Sequence, residues 1–124
     1  MAIAYDSLVA KSIEWTGVHH SERGDFTTLS THTVSYETES TCYVTAGGKL
    51  VGEATYTYQK LDDHTAILIY RPEVYQGRPD VVLYAMLDFA NETDRAVILA
   101  GNQPFAIADG KMREVATPPR PLKS

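Results

Sequence analysis

From Phe26 onward the chain is written in short runs of β-branched and aromatic residues, each closed by a turn signal. That rhythm predicts an antiparallel meander, because such residues fit a pleated, half-buried surface and Gly, Asp and Asn supply the bends between runs. The candidate strands are Thr27 to Glu39, Thr41 to Ala46, Lys49 to Leu61, Thr65 to Arg71, Val81 to Ala90, Ala96 to Ala100 and Phe105 to Val115. Gly47-Gly48 and Asp109-Gly110 read as tight hairpin turns. Asp62-Asp63-His64 and the run Asn91 to Asp94 close two more. Arg71 to Asp80 is a longer, proline-bounded connection, and the tail "TPPRPLKS", residues 117–124, is extended or frayed because proline has no amide donor.

Ahead of the strands, Leu8, Val9, Ser12, Ile13 and Trp15 fall loosely at helical spacing, with Asp6 or Ser7 as a cap. This predicts one short N-terminal helix within Ile3 to Trp15. Thr16 to Asp25 reads as a loop or a short first strand. Six or seven evenly spaced strands with almost no helix favour a mainly β fold, a small antiparallel barrel whose closure removes exposed edges. A cone-shaped α+β fold would need more helices than the chain offers. At 124 residues, the expectation is a single domain over 1–124.

Some strands are apolar on both faces. In "TAILIYR" and "VVLYAMLDF" one face fills the barrel and the other needs a cover, supplied by the helix and by a second copy, so a homodimer is expected.

Charge and composition narrow the function. A net charge of -5, with 11 basic against 16 acidic residues, gives no basic footprint for nucleic acid. No apolar run reaches the roughly 18 residues of a membrane span, and the first residues lack the pattern of a secretory signal. One cysteine, Cys42, forms no internal disulfide and reads as a packing residue, so a soluble, cytoplasmic protein is expected. There is no phosphate loop, nucleophile elbow or dinucleotide fingerprint, so no cofactor is expected. His19 and His20 point to opposite sides of an extended backbone, which makes them poor joint metal ligands; one of them suits a barrel mouth as an acid or base.

Three stretches, "TVSYETES", "GEATYTYQKLDDHTAILIYRPE" and "VVLYAMLDFANETDRAVIL", carry a family likeness. Their patterning resembles the barrel of the MoaF-like proteins, named from molybdenum-cofactor biosynthesis protein F, and more remotely the phenolic acid decarboxylases. The resemblance implies a calycin or lipocalin-like barrel with a ligand cavity inside. In the decarboxylases it further implies paired tyrosines, an arginine and a glutamate around a substrate carboxylate. Tyr56 and Tyr58 supply such a pair, but on a middle strand. Glu53 stands two residues ahead of the glutamate position, which Thr55 occupies, a displacement of about 7 Å along a strand.

The candidate site follows from these residues. Eight tyrosines against three phenylalanines exceed what a purely apolar core requires, because each buried hydroxyl needs a partner. Tyr36, Tyr56, Tyr70, Tyr84 and Met86 are the expected ligand-binding walls, and Arg71 the cation for an acidic group. Glu53, Tyr58 and Asp88 are the expected proton carriers. On the strand Lys49 to Leu61 either the tyrosine face or the Glu53-Thr55-Thr57-Gln59 face can line the interior, with the tyrosines favoured. The functional expectation is a barrel that binds a small organic molecule, as a cofactor-free lyase or isomerase of a phenolic or keto acid, or as a non-catalytic binding or assembly module.

Overall fold

A computed structural model describes residues 3–21, 29–75 and 77–121. Eight strands form a closed antiparallel barrel in simple chain order: β1 (Ser12–His20), β2 (Ser30–Tyr36), β3 (Thr41–Ala46), β4 (Lys49–Lys60), β5 (Thr65–Pro72), β6 (Val81–Asp88), β7 (Thr93–Ala100) and β8 (Gln103–Val115). Each strand pairs with its sequence neighbours, and β1 pairs with β8 to close the ring, so no edge is left open. Among the described residues no helix is long and apolar enough to cross a membrane.

The predicted N-terminal helix is replaced by an irregular plug, residues 3–11, laid across one end of the barrel. Leu8 and Ala4 are buried there with Phe89, and the Tyr5 and Phe89 rings meet edge to face at 5.3 Å. The plug satisfies its backbone on the barrel rim: Ala4 donates to the Asp63 carbonyl at 2.8 Å, and Ala10 to that of Tyr36 at 2.8 Å. A short isolated helix is marginal, so burial of Leu8 against the barrel decides the conformation. We call this end the floor and the opposite end the mouth.

The predicted turn at Asp109-Gly110 is also absent, since β8 runs through it. The bend between β7 and β8 falls instead at Gly101-Asn102, where both residues have positive φ. Gly110 is glycine for a different reason. It faces Gly17 across the β1–β8 seam, and the Trp15 indole lies over both. A Cβ on Gly110 would stand 2.2 Å from Trp15 Nε1. Of the predicted first long strand, residues 27–28 lie outside the described residues, and β2 begins at Ser30.

Alternation along the ladders defines the interior. Ile13, Trp15, His32, Val34, Tyr36, Cys42, Ala54, Tyr56, Leu68, Tyr70, Ala85, Leu87, Ala96 and Met112 belong to the inward-facing set, most of it fully buried. Outside, one sector is covered by the chain itself. Thr117 bonds Ser12, the Tyr43 hydroxyl donates to the Pro118 carbonyl at 2.9 Å, and Arg120 lies over the Tyr43 ring. Another sector shows an apolar row across four strands, Ile69, Tyr84, Val97 and Ile107, with Met86 beside it. Tyr84, Met86, Val97 and Ile107 are exposed.

Candidate functional site

The upper barrel holds a cavity of about 460 Å³. Its walls are mainly apolar, with Ile13, Val34, Leu68, Leu83 and Ala96 among them, and small residues such as Ala85 and Ala108 leave the space open. A few polar groups converge on it: Asp94, Tyr36, Tyr70, Tyr75, His19 and His32.

Asp94 is the most unusual of these. It sits at the start of β7, opposite Leu87 on β6 and Gly110 on β8, so its carboxyl is framed by groups that offer no charge. The residue is half-buried, and desolvation of its carboxyl pushes the pKa up from 3.8 to about 7. Trp15 fixes this stretch of backbone by donating its indole N–H to the Asp94 carbonyl at 3.0 Å. Tyr36 lies close enough for Asp94 to help hold its phenol protonated, although burial is the larger cause. Tyr70 is raised well above its ordinary value by burial too, so both phenols are donors across the physiological range.

The mouth is aromatic and imidazole-rich. His19 Nε2 and the Tyr75 hydroxyl are 2.8 Å apart, tying the β5–β6 connection to β1. Trp15 and His32 pack at 5.1 Å with their rings tilted by 30°. Burial lowers the pKa of His32 to about 4, and lowers that of His19, so neither ring carries charge readily at neutral pH. Within the β5–β6 connection Arg78 clamps Asp80 through two bonds of 3.1 Å.

The residues expected from sequence divide by face and by depth. Tyr36 and Tyr70 line the cavity. Tyr56 and Tyr58 also face inward, as favoured, but lie below the cavity, and their hydroxyls are spent on structure. Tyr56 donates to the Thr38 carbonyl, and Tyr58 to that of Tyr5 in the plug at 2.6 Å. Tyr58→Phe is accordingly expected to cost about 1 kcal/mol in urea unfolding.

Glu53, Arg71, Tyr84, Met86 and Asp88 fall on the outer face, one residue out of phase with the inward set. Glu53 pairs with Arg120 of the tail, which also bonds Glu37 at 2.6 Å. Arg71 is exposed. Tyr84 and Met86 belong to the outer apolar row, and Asp88 caps the turn after β6, its carboxylate held below its ordinary pKa by Asn91. Cys42 is buried and its thiol pushed up to about 12, consistent with packing.

Sequence reasoning missed Asp94 because Asn91 to Asp94 reads as a turn. The available signal was alternation one step further back: Asp94, Ala96, Ile98 and Ala100 share a face. Among the described residues no group of three or more His, Cys, Asp or Glu side chains is placed to hold a metal ion. No family model matches the chain, and no curated protein or solved structure matches it. The MoaF-like resemblance thus rests on sequence patterning alone.

Proposed function

We propose that this barrel takes up a small organic molecule, its apolar body among Ile13, Val34, Leu68 and Leu83 and its polar end against Asp94, Tyr36 and Tyr70. The observation that carries this reading is the cavity itself: about 460 Å³, mainly apolar, with few convergent polar groups. Small-molecule sites commonly run from about 300 to 1,000 Å³ with that lining. The phenolic or keto acid expected from sequence fits poorly, since Arg71 lies outside and no Arg or Lys lines the cavity among the described residues. An anionic end would meet Asp94 without a compensating charge.

The chain supplies its own reporter, because Trp15 is the only tryptophan and it lines the cavity. The neutral probe N-phenylnaphthylamine should bind with quenching of Trp15 emission. Ala96→Phe, which fills the space from β7, should weaken that uptake by at least about tenfold, about 1.4 kcal/mol. Uptake unchanged by Ala96→Phe would place the probe elsewhere and end the reading.

Turnover is the second reading, and Asp94 favours it. A carboxyl with a pKa of about 7 can both accept and return a proton near neutrality, with Tyr36 or Tyr70 hydrogen-bonding the oxygen where charge develops. This would be cofactor-free isomerase or lyase chemistry. Its proton carrier is Asp94, in place of Glu53, Tyr58 or Asp88.

A further inference from the structure

The charge inventory of the cavity points to the kind of molecule it holds. Among the described residues, every chargeable group lining the cavity except Asp94 is neutral at physiological pH. Tyr36, Tyr70 and Tyr75 are raised phenols, and His19 and His32 are lowered imidazoles. The one group able to carry a full charge is an acid, and no hydrogen bond to its carboxyl is present among the described residues. Without a counter-charge, Asp94 is either ionised in a half-buried place or protonated.

We propose that the natural guest is an organic cation, an amine with a flat or aromatic body, whose ammonium pairs with the Asp94 carboxylate. This rests on the cavity reading above. A guest ammonium takes the place of the proton on Asp94 and turns a desolvated carboxyl into one half of an ion pair with charge-assisted hydrogen bonds. The phenolic oxygens of Tyr36 and Tyr70 are available to accept its remaining N–H bonds. Electron-rich rings at Tyr36, Tyr70 and Tyr75 suit a cation more than an anion. The whole chain, at net -5, draws cations toward the mouth and repels anions. The apolar walls accept the body and leave an inorganic cation without ligands.

Calorimetric titration with an isosteric trio, phenethylamine, phenethyl alcohol and phenylacetate, tests the proposal. The amine should bind about tenfold tighter than the alcohol or more, and phenylacetate should bind weakest. In Asp94→Asn that preference of amine over alcohol should vanish.

The native chain gives a second measurement that needs no variant. Besides Asp94, the cavity is lined by Trp15 and His19 from β1, Tyr36 and His32 from β2, Val44 from β3, Gly52 from β4, Tyr70 from β5, Ala85 from β6 and Ala108 from β8, with Tyr75 from the β5–β6 connection. Tyr36, Tyr70 and Tyr75 titrate above this range and His32 below it, and burial lowers His19 from its ordinary 6.5. Amine affinity should therefore fall toward a limit of about tenfold per pH unit below about pH 7, while alcohol affinity stays level. Amine and alcohol binding within twofold of each other at about pH 8, with N-phenylnaphthylamine still taken up, would overturn the cation and leave the cavity standing. Failure of the trio and of the neutral probe alike would overturn both.

Discussion

Asp94→Asn is expected to make the protein more stable than the native chain at alkaline pH and to flatten its stability profile. The ordinary carboxyl value is 3.8, and in the barrel it is about 7. Between those values the folded chain holds a proton that the unfolded chain has released. Native stability therefore falls as pH rises through this window, and the loss is complete above about pH 7. Three pH units correspond to about 4 kcal/mol, and the carboxyl's remaining surface toward the cavity reduces this to about 2–4 kcal/mol. Urea unfolding at a series of pH values checks this. The two proteins should be close in stability near pH 4 and diverge steadily to about pH 8, with the variant ahead. Parallel curves would show that Asp94 is well solvated. The sign separates this residue from Asp88, whose lowered value gives the opposite slope.

Gly110→Ala is expected to be among the most damaging single-methyl additions the fold can receive. The new Cβ would stand 2.2 Å from Trp15 Nε1 and 2.3 Å from Cε2. The indole has little room to retreat. Its N–H is engaged by the Asp94 carbonyl at 3.0 Å, His32 packs against it, and Gly17 lies beneath it. Overpacking a filled site costs about 1–3 kcal/mol, and a clash with a confined ring belongs at the upper end, about 3 kcal/mol. Trp15 emission should shift at the same time, since the ring must leave its seat. A Trp15→Leu background should recover a good part of the loss on adding Gly110→Ala, a coupling that a merely local backbone effect would not show. Native-like stability of Gly110→Ala would mean that the indole does not rest there.

How far these features were visible in the sequence depends on the range of the physics behind them. β3, β4 and β5 are legible to within a residue or so because period-two alternation and turn chemistry act over a few residues, as at Gly47-Gly48 and Asp62. The same parity places Tyr56 and Tyr58 inside and Glu53 outside. Parity says nothing of depth, however. Tyr36 reaches the cavity and Tyr58 only the floor, a difference set by where the plug crosses and by strand tilt. The plug reads as a helix because its preference for Phe89 and the barrel rim is a long-range contact. Asp109-Gly110 reads as a turn because the reason for its glycine, Trp15, sits on a strand from the other end of the chain. Asp94 is hidden by the same kind of local misreading: a polar residue after "NET" resembles a loop until its burial by β6 and β8 is known.

The order of the strands has a consequence for how the molecule comes into being. All pairings but one join neighbours in the sequence, so hairpins can assemble progressively while the chain is still being synthesised. The exception is the β1–β8 seam, which unites the first strand with the last. Until β8 has been made, Trp15 has no Gly110 to rest on and β1 stays an open edge. The cavity therefore forms only once β8 has paired with β1, and a nascent chain lacking β8 exposes the wall that later encloses it.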